Sequence, residues 1–180
     1  MKENVQGFML KFIFIAALVN LFGLANGQTK NALNPDEKAY YSKLKGLCNA
    51  LHDNRYLDDS VMRKFILLDY VLNDTSKARI SDRMVKIKGL LVNFGRYIDS
   101  VGLPNLDAAP LKYYIKNPKI DSVFEPDLKK SIPYIFAYFR KDNRKSPLGY
   151  ILFDPESGKV VSWILLNQGG ARFFLTFNLF

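Results

Sequence analysis

Apolar residues along this chain change their spacing twice. A first block, Phe12 to Ala25, is interrupted only by Asn20 and Gly23. From Tyr40 to Val101, apolar positions recur every three or four residues, the period of one helix face. From Leu111 onward they gather into short runs rich in Tyr, Phe, Ile and Val, as strands do.

The helical region divides at its caps. Asn34-Pro35-Asp36-Glu37 supplies a cap, a first-turn proline and two acids for the positive end of the dipole. Tyr40, Leu44, Leu47, Cys48 and Leu51 then share a face, and the helix should fade near Asp53. A second helix is expected from Asp58-Asp59-Ser60 to Leu72, with Val61, Phe65, Leu68 and Leu72 as its stripe. A third follows the breaker Asn73–Ser76. Its seam, Ile80, Met84, Ile87, Leu91, Phe94, Ile98 and Val101, steps by fours and threes until Gly102 and Pro104 stop it.

The strand region is expected to run Leu111–Ile115, Ile132–Phe139, Gly149–Phe153, Val160–Leu166 and Phe173–Leu179. A loop over Asp121–Ser131 holds one helical turn at Pro126–Lys130. Asp154–Gly158 and Asn167–Gly170 read as hairpin loops. Helices first and strands second define an α+β fold. Two or three N-terminal helices (about 35–102) should cover one face of a C-terminal antiparallel meander of four or five strands (about 111–179). In element order, though in no motif, this resembles the cystatin-like and nuclear-transport-factor-like cone folds. That resemblance implies a curved sheet with a pocket beneath the helices, for which Tyr113, Tyr114, Tyr134, Tyr138 and Tyr150 would be the polar lining.

The first block has another meaning. Lys2 and Lys11 precede it, and Ala25-Asn26-Gly27 ends it with small residues at the third and first positions before a cut. This is the pattern of a secretory signal peptide over residues 1–27, cleaved before Gln28. A spanning helix would need roughly 20 apolar residues. Residues 28–180 are then expected to form one exported domain, periplasmic or at the cell surface, without a transmembrane segment.

Composition narrows the chemistry. Hydrophobic residues at 48% and charged residues at 24% suit a folded domain rather than a disordered chain. One Cys excludes a disulfide framework, and one His with no second Cys excludes the usual zinc sets. Cys48 and His52 fall on one helix face, but a thiol nucleophile needs its base in reach and a third group to orient that base. A buried Cys and a His at a helix end explain the pair. There is no nucleophile elbow and no phosphate loop, and the acids sit mostly at helix starts and turns. The expectation is a non-enzyme with no cofactor and no metal site.

The charge is the positive lead. Lys and Arg number 26 against 17 Asp and Glu, a net +9 at pH 7. Lys77, Arg79, Arg83, Lys86 and Lys88 form one cluster, and Lys129, Lys130, Arg140, Lys141, Arg144 and Lys145 another. Such fields attract anions. Export argues against nucleic acid and toward anionic lipid or polysaccharide. Phe173, Leu175, Phe177 and Leu179 alternate onto one face of the last run and form a candidate partner strand. A transmembrane barrel is excluded, since it needs at least about eight strands. The first functional reading is therefore a small exported interaction protein of the cell envelope, associating with another envelope protein or assembly. The alternatives are a cone-fold pocket protein that binds or hydrolyses a small ligand, and a binder of anionic surfaces.

Overall fold

Asn34 closes a capping box at the start of α1, Pro35–His52: its Oδ1 accepts from Glu37 N–H at 2.8 Å, and Glu37 accepts from Asn34 N–H at 2.9 Å. Glu37 is itself buried, and Lys112 bonds its other oxygen. Burial pushes its pKa up, but the hydrogen bonds from Lys112 and Asn34 and the Lys112 charge outweigh it. The carboxyl ends below its ordinary value. The box thus also latches α1 to a distant turn.

The computed structural model describes residues 32–53, 58–114, 126–169 and 171–177. The chain divides into two compact units, residues 1–33 and 34–180, and every helix and strand named here belongs to the second. The signal peptide expected before Gln28 and the C-terminal Leu179 lie outside the described residues. No helix among the described residues is long and apolar enough to cross a membrane.

The second expected helix is in fact two. α2, Asp59–Phe65, ends where Ile66 turns extended, and α3 is the short Asp69–Leu72. Phe65-Ile66-Leu67-Leu68 is apolar on every side, so no helical register could bury all of it. The break lets Leu67 N–H donate to Val160 O at 2.9 Å and puts Ile66 and Leu68 in the core. α4, Lys77–Val101, follows the expected seam: Met84, Ile87, Leu91, Phe94 and Ile98 are buried. Gly102 ends it at φ 81°, the left-handed region that glycine tolerates.

The first strand lies earlier than expected. β1 is Leu106–Pro110, and Leu111–Tyr113 is a 3₁₀ turn. Pro110 has no N–H to continue a ladder, so the strand ends there. β2, Ile135–Arg140, starts after another 3₁₀ turn at Ile132–Tyr134 that contains Pro133. With β3, Gly149–Phe153, and β4, Val160–Ser162, these strands form an antiparallel meander in the order β1-β2-β3-β4. The expected run to Leu166 breaks at Trp163. β5, Leu165–Gln168, leaves the meander and pairs with β6, Ala171–Phe174, in a separate hairpin. The last strand therefore stops at Phe174, short of Leu175 and Phe177.

The architecture is α+β, with the helices first and the antiparallel strands second. The N-terminal helices cover one face of the meander, and a second layer covers the other. Alternation along β2 sends Phe136 and Tyr138 to the helices, in a core shared with Leu44, Ile87, Leu91 and Phe153. Ile135 faces the other way, against Leu111 and Phe174. That far layer is built from the 3₁₀ turn after β1, the helical turn α5 at Pro126–Lys129 and the β5-β6 hairpin. Ser162 ties hairpin to meander: its buried hydroxyl donates to Leu175 O at 2.7 Å and accepts from Ile164 N–H at 3.0 Å.

Candidate functional site

Where the helical layer meets the first two strands, the packing leaves a cavity of about 340 Å³. One side is a stripe of α1: Tyr41, Leu44, Lys45, Cys48 and Asn49, at helix-face spacing. Phe94 of α4 and Ile151 of β3 line it more deeply, Leu103 and Pro104 come from the α4–β1 connection, and Leu106 opens β1. Asp107 and Ala108 of β1, with Tyr138 of β2 and Lys141 just beyond, complete it. The lining is mostly apolar with a few polar groups, the usual make-up of a small-molecule site.

The polar groups are tied together. Tyr41 Oη donates to Asp107 Oδ1 at 2.9 Å, and Arg144 donates to Asp107 Oδ2 at 2.7 Å. Asp107 Oδ1 also accepts from Ala108 N–H at 2.9 Å. The carboxylate that lines the cavity is thus neutralised by its own neighbours. Burial and the bond to Asp107 raise the Tyr41 pKa, and burial raises that of Tyr138, so both phenols stay protonated at neutral pH. The Tyr138 ring stands edge-on to Phe94, with centroids 5.9 Å apart. Phe94 in turn stacks on Trp163 at 5.1 Å, so the sole tryptophan touches the cavity wall.

Of the five tyrosines expected to line a pocket, Tyr138 lines this cavity and the other four do not. Tyr114 and Tyr150 pack into the far layer, because each points to the other side of the sheet. Tyr134 packs edge-on to Tyr40, with centroids 6.5 Å apart, and the Tyr113 hydroxyl faces Glu37. Tyr41 takes their place. Its signal was present as the shoulder Tyr41, Lys45, Asn49 beside the core stripe of α1, but nothing local says that a shoulder faces a strand.

Cys48 and His52 do not meet as a pair. Cys48 is buried in the cavity wall, and desolvation pushes its thiol up to about 12, far from a reactive thiolate. His52 is exposed and turns to Asp99, with Nδ1 at 2.9 Å from Oδ1. Among the described residues, no group of three His, Cys, Asp or Glu side chains could hold a metal ion.

The basic clusters are partly occupied by acids. Arg79 and Arg83 both bind Asp74, at 3.0 and 3.2 Å, and Lys88 binds Asp59 at 2.9 Å. Lys77 and Lys86 are exposed on α4. In the second cluster Arg140 binds Asp142 at 3.1 Å and Arg144 binds Asp107, while Lys129, Lys130 and Lys145 are exposed. Lys141 donates to Pro104 O at the cavity mouth. The candidate partner strand is divided. Phe173 and Leu175 are half-buried, but Phe177 is 1% exposed and packs 4.9 Å from Trp163.

No family model matches the chain, and neither a curated protein nor a solved structure matches it.

Proposed function

We propose that this chain is an exported, non-catalytic binding protein that holds a small, mostly apolar molecule between α1 and the first two strands. The observation that carries this reading is the cavity of about 340 Å³ with its apolar walls and its tied polar corner. Sites for small ligands begin at roughly 300 Å³ and share this mixture. The envelope setting rests on the signal-peptide pattern of residues 1–27. The reading does not use the aromatic last strand as the main binding element, because β6 stops at Phe174 and Phe177 is spent on the interior.

The test is a titration with N-phenylnaphthylamine, a neutral apolar dye, followed by dye emission and by Trp163 emission. Binding should saturate near one site per chain and should perturb Trp163 through Phe94. Ala108→Leu, which fills the cavity from β1, should weaken binding roughly tenfold, in proportion to the lost apolar contact. The circular dichroism of the variant should remain native. Dye binding unchanged by Ala108→Leu, or absent from the native protein, would overturn the reading.

A further inference from the structure

The cavity is apolar inside but cationic at its mouth. Lys45 stands on α1 and Lys141 in the turn just beyond β2, so the two lysines that line it come from separate parts of the chain. Lys45 is exposed and makes no ion pair among the described residues. Lys141 uses one of its three N–H donors on Pro104 O, which leaves two to offer. The one lining carboxylate, Asp107, is held by Arg144 and by the Tyr41 hydroxyl, so it does not answer the lysines. Deeper in, Leu44, Phe94, Ile151 and Tyr138 offer aliphatic and aromatic surface.

We infer that the ligand is an anionic amphipath, a single carboxylate on an aliphatic chain, with its tail against Phe94 and Ile151 and its head between Lys45 and Lys141. This rests on the cavity reading above and adds the charge of the occupant. A neutral molecule of the same shape would bury the same apolar area but would forgo the charge-assisted bonds at the rim. A cation would meet repulsion there.

Three probes with one tail separate these terms: dodecanoate, dodecanol and dodecyltrimethylammonium, each below its micelle concentration, displacing N-phenylnaphthylamine at low salt. Dodecanoate should displace the dye at roughly one tenth the concentration of dodecanol, and the cation should be weakest. The double variant Lys45→Met, Lys141→Met should bring acid and alcohol together. Both side chains are exposed, so its melting temperature should match that of the native protein and report on folding. Equal displacement by acid and alcohol overturns the charge assignment while the cavity reading stands. Failure of all three probes and of the dye overturns both. A preference for dodecanoate that survives the double substitution overturns the role given to these two lysines.

Discussion

Two helical glycines show how much a single position depends on what faces it. Gly89 lies exposed in the middle of α4, and a Cβ there would meet nothing within 4 Å. Gly46 lies in α1, where a Cβ would come within 2.7 Å of the Phe65 ring of α2. Glycine in a helix interior costs about 0.5–1 kcal/mol relative to alanine. Gly89→Ala should therefore stabilise the protein by about that amount. At Gly46 the same gain is opposed by overpacking against a buried ring, worth about 1–3 kcal/mol, so Gly46→Ala should be net destabilising. Urea unfolding decides it: the midpoint should rise for the first variant and fall for the second. A rise for both would mean that α1 and α2 do not approach this closely. Sequence gives no warning of the difference, since both glycines interrupt equally good helical patterns.

Among the elements, the ends of α1 and α4 are joined by His52 and Asp99. The hydrogen bond that His52 donates to Asp99 and the charge of that carboxylate raise the His52 pKa above its ordinary value, while the slight desolvation works against them. The sign follows from linkage: a group whose pKa is raised on folding stabilises the fold fully below its unfolded value, near ~6.5. That contribution fades as pH rises through the folded value. Both side chains are half-exposed, so the effect on stability is small, but the titration is direct. The His52 ring resonance should titrate above the ordinary histidine value in the native protein and fall back toward it in Asp99→Asn. An unshifted native titration would remove the link. The same scale shows what the sequence could and could not disclose. The seam of α4 was legible because one face stays buried from Met84 to Ile98, and the cap of α1 because its chemistry is local. The break at Ile66 was not, since Val61, Phe65, Leu68 and Leu72 keep helical spacing through it and only the distant Val160 reveals it. β1 was misplaced because Leu106–Pro110 is poor in β-branched residues and owes its pairing to β2. The cavity draws on two helices, a connection and three strands, and its Tyr41–Asp107 bond spans 66 residues. No periodicity reports such a meeting.

At the scale of the whole molecule, one core joins nearly everything. The larger apolar cluster takes residues from all four N-terminal helices or their connections, from β2, β3 and β4, and finally Phe177 from the end of the described chain. Phe177 is 1% exposed and rests on Trp163, which stacks on Phe94 of α4, so the C-terminal segment closes the stack on the helical layer. Removing a fully buried phenyl ring costs about 3–5 kcal/mol, a large share of the roughly 5–15 kcal/mol that holds a domain together. Phe177→Ala should therefore lower the unfolding midpoint steeply. Far-UV circular dichroism and Trp163 emission should move together, because helices and strands share this core and should melt in one step. Phe177→Leu, which keeps most of the volume, should lose far less and remains measurable if the alanine variant fails to fold. The comparison also weighs the two ways of using an aromatic C-terminus. A side chain kept for a partner's sheet edge is not needed by the isolated protein, and its removal would leave the midpoint where it was. A native-like midpoint for Phe177→Ala would return the last segment to the role of an interaction strand, and a steep fall would assign it to the core behind Trp163 and Phe94.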